Sequence, residues 1–202
     1  ARVITGKFMT VDEVLETVKR DSLFYRNSGG GVTASGGEAT AQPEFLIELF
    51  RRCRESGIHT ALDTTGHVPW ETLQKVLEHT DLVLYDIKHM DPARHRELTG
   101  VDNALILENA RRISRMAKPM WIRFPLVPGC NDSEENLRAT GKFTLELGIN
   151  QIDILPYHRL GTGKYHRLGR EYPLPDARSY REDEIEKIKA MLQALGLEAR
   201  IA

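Results

Sequence analysis

Asp81-Leu-Val-Leu-Tyr-Asp-Ile-Lys88 decides the fold: Leu82 to Tyr85 form a continuous apolar run that ends in the charged residues Asp86 and Lys88. A run this short and this apolar reads as a strand buried on both faces, the kind found in parallel sheets covered by helices. The flanks supply those helices. Upstream, Pro69 opens a helix through His79. Downstream, Asp91-Pro92 starts a short helix, and 103–117 reads as a longer one with Leu105, Ile106, Ala110 and Ile113 inward.

The same unit repeats in both directions. Val32 and Thr33 form a strand after Gly29-Gly30-Gly31 and run into Ser35-Gly36-Gly37-Glu38. Pro43 then begins a helix whose stripe is Phe45, Leu46, Leu49 and Phe50 and whose end is marked by Gly57. Thr10-Val-Asp-Glu13 is a capping box before Val14, Leu15 and Val18. Ile58 to Leu62 is a strand ending at Asp63-Thr64-Thr65-Gly66, and Met120 to Val127 is another. Asp132-Ser133-Glu134-Glu135 caps a helix that Gly148 ends, and Ile152 to Leu155 is the last long strand, finishing at Pro156-Tyr157-His158. Arg159 to Arg178 reads as a surface loop, and Glu182 to Leu195 as a closing helix with Gly196 behind it.

Strands at 32–35, 58–63, 82–87, 120–127 and 152–156 alternating with helices predict an α/β fold with a parallel sheet, because a parallel pair needs a crossover. Right-handed crossovers curl such a sheet one way. A closed eight-stranded barrel takes about 250 residues, more than the 202 of this chain. The expectation is a single domain over residues 1–202, a partial, open β/α barrel. Periodicity alone leaves the doubly wound sheet as an alternative.

Hydrophobic residues make up 41% and charged residues 28%, the composition of a folded globular protein. Lys plus Arg (28) balances Asp plus Glu (29), which excludes a global field drawing the chain onto nucleic acid or an anionic membrane. Without an apolar run of about 18 residues or a secretory start, no membrane partner is expected and the cytoplasm is the expected compartment. Cys53 and Cys130 are too few for a disulfide framework and lack metal-cluster spacing. Cys53, in the middle of an amphipathic helix, reads as a small buried hydrophobe. His59, His67, His79, His89, His95 and His166 show no metal-ligand spacing and read as surface or helix-face residues.

Polar groups collect at the carboxyl ends of the strands: Glu38 after Gly36-Gly37, then Asp63 and Thr64, Asp86 and Lys88, Arg123, and His158. Ligands of barrels and open α/β sheets bind at those ends, so these side chains are expected in one mouth. For Asp63 and Thr64 a helix cap is the competing explanation. Arg123, inside Trp121-Ile122-Arg123-Phe124, needs either a neighbouring acid or a bound carboxylate, since burying it unpaired costs several kcal/mol. Two glycines let a ligand approach the backbone closely, and the carboxylate after them can accept from an ammonium group.

Gly29-Gly-Gly-Val-Thr-Ala-Ser-Gly-Gly-Glu38, Ala61-Leu-Asp-Thr-Thr-Gly66, Leu82-Val-Leu-Tyr-Asp-Ile-Lys88, Trp121-Ile-Arg123 with Val127-Pro-Gly129, and Leu155-Pro-Tyr-His158 occur in that order. Together they resemble the radical S-adenosylmethionine (SAM) enzymes that activate glycyl radical enzymes, in the pyruvate formate-lyase activating group. The resemblance implies a radical SAM type of partial barrel. It implies SAM and a [4Fe-4S] cluster as cofactors, reductive cleavage of SAM to a 5'-deoxyadenosyl radical, and hydrogen abstraction from a glycine of a partner enzyme. An electron donor such as flavodoxin or ferredoxin is implied as a second partner.

By the same resemblance Gly36, Gly37 and Glu38 bind the SAM amino group. Asp63 and Thr64, with Asp86 and the backbone at Leu84, lie by the methionyl end and help form a monovalent cation site. Lys88 and Arg123 face the SAM carboxylate, and His158 lies beside the ribose and adenine. The family's Cys-x-x-x-Cys-x-x-Cys loop and the first strand before it belong upstream of Ile4-Thr5-Gly6. As given, the chain is therefore expected to lack its cluster ligands and first strand, to be inactive alone, and to self-associate through the exposed edge at 32–35. The alternatives are a cluster-free barrel acting as a SAM- or partner-binding module, and an unrelated β/α enzyme acting on a small anion through Lys88, Arg123 and His158. The loop at 159–181 is the expected place for partner choice.

Overall fold

The computed structural model describes residues 6–158, 169, 171, 172, 174 and 177–202. Its strands are β1 (Gly31–Ala34), β2 (His59–Thr64), β3 (Leu82–Asp86), β4 (Met120–Leu126), β5 (Gln151–Pro156) and β6 (Glu198–Ile201), hydrogen-bonded in that order. The order never reverses, which excludes the doubly wound alternative, whose switch point requires a reversal. Helices lie between successive strands: α1 (Val11–Lys19) and α2 (Ser22–Ser28) before β1, then α3 (Pro43–Glu55), α4 (Trp70–Leu77), α5 (Pro92–Thr99), α6 (Ala104–Arg115), α7 (Glu134–Glu146) and α8 (Glu182–Gln193). This is the topology of an open β/α barrel. None of the helices among the described residues is long and apolar enough to cross a membrane.

The described chain divides into two compact units: residues up to Thr64 with Val68–Leu84, and Thr65–His67 with Tyr85 onward. In the first, β1 and β2 run parallel, with Gly31 opposite His59 and Ala34 opposite Leu62. A methyl group on Gly31 would fall 1.9 Å from the His59 carbonyl oxygen, so this strand approach requires glycine. The expected capping box starts α1: Thr10 Oγ1 accepts from Glu13 N at 3.3 Å, and Glu13 accepts from Thr10 N at 2.8 Å. Leu15 and Val18 of α1 pack with Leu49, Cys53 and Ile58, and Cys53 is fully buried as expected. The short α2 escaped the sequence reading because it buries nothing. Leu23 and Phe24 are exposed, and Asp21 makes no side-chain cap, so neither periodicity nor capping announces it.

In the second unit β4, β5 and β6 are parallel. Ile122 and Phe124 stand opposite Ile152 and Ile154 on a fully buried face, while Arg123, Asp153 and Arg200 occupy matching positions on the other. The sequence reading assigns no element to β6. Its sequence Glu-Ala-Arg-Ile turns only Ala199 into the core, too little alternation to signal a strand. β3 departs from the expectation of burial on both faces: Val83 and Tyr85 are buried, whereas Leu82, Leu84 and Asp86 are only partly covered.

Helix α8 is fixed at its start by Glu184, which takes two hydrogen bonds from the Arg178 guanidinium, at 2.7 and 2.5 Å, and one from Arg181 N at 2.9 Å. The Arg178 hydrogen bonds, helped by the Arg181 amide, hold this carboxyl at about 2. A depressed carboxylate stabilises the fold above its unfolded value of about 4.3. That contribution fades as pH falls toward 2. Carbon-detected NMR of the Glu184 carboxyl from pH 6 to 1.5 is expected to show its midpoint well below that of an exposed Glu, with fraying of the first turn of α8 following protonation. A midpoint near 4.3 would show that the Arg178 pair does not persist in solution.

Candidate active site

Ser35, Glu38, Asp63 and Thr64 come together in the first unit through strand register. Ser35 follows β1 one rung beyond Ala34, which places it beside Asp63 of β2, and Ser35 Oγ donates to Asp63 Oδ2 at 2.6 Å. Gly36, at φ +126, turns the chain in a conformation that glycine alone adopts readily. Glu38 then caps a 3-10 turn over Ala39–Ala41, its Oε1 accepting from Thr40 N at 3.3 Å and Thr40 Oγ1 at 2.8 Å. Thr64 Oγ1, almost wholly buried, donates to the same oxygen at 2.8 Å. Asp63 and Thr64 are therefore not caps of the next helix, since α4 begins behind Pro69 with no side-chain cap. A methyl group on Gly36 or Gly37 would meet nothing within 4 Å, so the glycine backbone borders open space. A cavity of about 480 Å³ opens beside Ser35, lined also by Ala34, Ala39, Gln42 and Phe45.

The second unit joins Asp86, Lys88 and Arg123. Arg123 Nε and Nη2 donate to Asp86 Oδ1 at 3.0 and 2.8 Å, and Lys88 Nζ lies 3.4 Å from Asp86 Oδ2. The partner that the Arg123 sequence context demanded is thus a neighbouring acid. The Asp86 and Arg123 side chains are 14% and 19% exposed, so the pair is poorly screened. Both cations carry N–H donors of the kind that bind a carboxylate or phosphate. His158 follows β5, is exposed, and stands outside this triplet.

Two histidines differ from the surface reading. His95 is 2% exposed, its Nδ1 2.7 Å from Val101 O, and His89 is 7% exposed, with Nδ1 accepting from Asp91 N at 3.0 Å. Burial lowers the His89 pKa, so it adds no charge beside Lys88. His89 lies in the loop behind β3, where burial leaves no periodic trace, and His95 is the one buried residue of the short, polar α5. Ser35 and Thr40, which orient Asp63 and Glu38, were also missed as site residues; the only signal was their place beside Gly-Gly-Glu. Burial raises the Cys130 thiol, which disfavours a reactive thiolate. His166 and most of the loop at 159–181 lie outside the described residues.

Sequential parallel strands with ionic side chains at their carboxyl ends define a ligand-binding α/β barrel of the enzyme type. Residues 2–140 match the family model described as the Radical SAM superfamily. The chain is 48% identical over 176 residues to the isethionate sulfite-lyase activating enzyme of Nitratidesulfovibrio vulgaris, covering 86% of this chain and 57% of that enzyme. It is 40% identical over 194 residues to the pyruvate formate-lyase 1-activating enzyme of Escherichia coli K12, covering 95% and 79% respectively. A crystal structure of a domain of pyruvate-formate lyase-activating enzyme from Bacteroides vulgatus matches with TM-score 0.72 and 35% identity, over 86% of this chain and 99% of that one. The chain belongs to the radical SAM superfamily, among the activating enzymes of glycyl radical enzymes. It spans 57% of the length of the isethionate relative.

The donor sets fit the two expected cofactors unequally. An ammonium and a carboxylate, the two charged ends of an amino acid, suit the Glu38 and Lys88–Arg123 clusters respectively. A three-cysteine ligand set needs one thiolate more than the two cysteines of this sequence, and Cys53 is fully buried in the apolar core. Among the described residues no group of three His, Cys, Asp or Glu could hold a metal ion.

Proposed function

We propose that this chain is the SAM-binding barrel of an activating enzyme that cleaves SAM reductively and generates a glycyl radical on a partner enzyme. The Asp86–Lys88–Arg123 triplet carries the reading: the Lys88 and Arg123 donors, gathered at the strand ends, suit the SAM carboxylate. Glu38, oriented by Thr40 and Thr64, accepts from the amino group, and the open backbone of Gly36 and Gly37 lets the ligand approach. Asp63 and Thr64 serve the methionyl end, and His158 the ribose and adenine. SAM would supply the sulfonium, and a [4Fe-4S] cluster, recharged by a donor such as flavodoxin or ferredoxin, would supply the electron that cleaves it. The chain's own residues bind and orient SAM. The second reading is a cluster-free barrel that acts as a SAM- or partner-binding module.

Calorimetric titration of SAM into the chain tests the site. Glu38→Ala is expected to weaken binding about 10- to 100-fold, since a charge-assisted hydrogen bond contributes about 1.5–3 kcal/mol. Unchanged affinity in Glu38→Ala and in Asp86→Ala would sink the site. Anaerobic reconstitution with iron and sulfide then separates the two readings: reductive SAM cleavage by this chain alone would rule out the binding module.

A further inference from the structure

The peptide carrying Lys88 is held by three asparagines, none of them in the strand-end set. Asn131 Nδ2 donates to Lys88 O at 2.9 Å, Asn103 Nδ2 donates to His89 O and Met90 O at 2.9 and 2.7 Å, and Met90 N donates to Asn136 Oδ1 at 2.8 Å. Asn103, Asn131 and Asn136 are 3%, 4% and 3% exposed. Residues 88–90 lie past the end of β3, where no ladder satisfies the backbone, so buried carbonyls there need side-chain donors. Satisfying them is the minimal role of the three amides.

The geometry does more than that. Asn131 also donates to Pro125 O at 2.6 Å and accepts from Val127 N at 2.8 Å, while its own carbonyl accepts from Asn136 Nδ2 at 2.8 Å. One side chain therefore ties the exit of β3, which bears Lys88, to the end of β4, which bears Arg123. The two cations share Asp86. We propose that Asn131, supported by Asn103 and Asn136, is a positioning residue that fixes the 88–90 peptide on the end of β4, so that Lys88 and Arg123 present one preformed anion site. This rests on the SAM-carboxylate reading above and deepens it: a flexible lysine is made part of a rigid site, sparing the entropy of ordering it on binding.

The test combines amide hydrogen exchange with a double-mutant cycle. Asn131→Ala removes the seam. Asn131→Asp, nearly isosteric, keeps the acceptor for Val127 N but sets a carboxylate against two carbonyls. In both, exchange at 88–92 is expected to rise about tenfold while α1 and α3 keep wild-type protection. SAM affinity is expected to fall about tenfold. Lys88→Ala/Asn131→Ala is expected to bind no more weakly than Lys88→Ala alone, because Asn131 acts through Lys88. Additive losses, or unchanged exchange at 88–92, overturn the inference. Lys88→Ala with wild-type affinity overturns the carboxylate reading, whereas a weakened Lys88→Ala beside wild-type-like Asn131 variants removes this inference alone. Should both Asn131 variants fail to fold, Asn103→Ser, which disturbs only the carbonyls of His89 and Met90, takes their place in the same cycle.

Discussion

Gly66→Ala is expected to destabilise the protein by about 3–5 kcal/mol, a large share of the 5–15 kcal/mol typical of a domain. Two causes add. Gly66 has φ +71, a left-handed conformation that costs a residue with a Cβ about 1–2 kcal/mol. The new methyl group would also stand 1.8 Å from Tyr85 Oη and 2.4 Å from Cζ, in space the ring fills completely. Tyr85 is fully buried and its hydroxyl donates to Ile106 O at 2.6 Å, so it cannot yield without abandoning that acceptor. The Gly66 carbonyl, moreover, accepts from Asn109 Nδ2 at 2.8 Å, which ties the loop to α6. Urea denaturation reads the loss as a lower midpoint at unchanged slope. Tyr85→Phe, which removes only the hydroxyl, is expected to cost about 1–2 kcal/mol. A Gly66→Ala loss no larger than that would mean the loop shifts to admit the methyl group.

Asp86→Ala is expected to cost about 3–4 kcal/mol of stability, because breaking a poorly solvated ion pair leaves a charge with no counter-ion. Asp86 accepts from Arg123 and pairs with Lys88, so the substitution deletes both contacts at once. Asp86→Asn keeps the shape and loses the charge, so a smaller cost of about 2 kcal/mol is expected. Arg123→Leu in the Asp86→Ala background should recover part of the loss, since the cation that Asp86 balanced is then gone. Thermal melts of the three variants decide the matter. Losses under about 1 kcal/mol for Asp86→Ala would class the cluster with solvated surface pairs.

The barrel topology was legible because β3 and its neighbours announce themselves by composition: Val83, Tyr85, Ile122, Phe124, Ile152 and Ile154 fill a buried layer, and capping residues such as Thr10 and Ser133 mark the helices between. The strand-end residues were legible as a set because long charged groups beside apolar runs need a reason. How they pair was not. Arg123 called for a counter-charge, but only coordinates name Asp86 over a bound ligand. The three asparagines were invisible for another cause: amides beside loops look like caps or turn formers, and their partners are backbone atoms that sequence does not label. Helix α2 and strand β6 were missed because each buries almost nothing, and burial is what periodicity reports.

The matching positions of Arg123 and Asp153 on β4 and β5 also bear on how the chain finds its alignment. Sliding β5 by a single residue would press Arg123 against Ile152 or Ile154 and turn Asp153 into the helix-covered hydrocarbon layer, exchanging a like-with-like interface for buried mismatches along its whole length. The polar face of these strands thus doubles as proofreading for strand assembly.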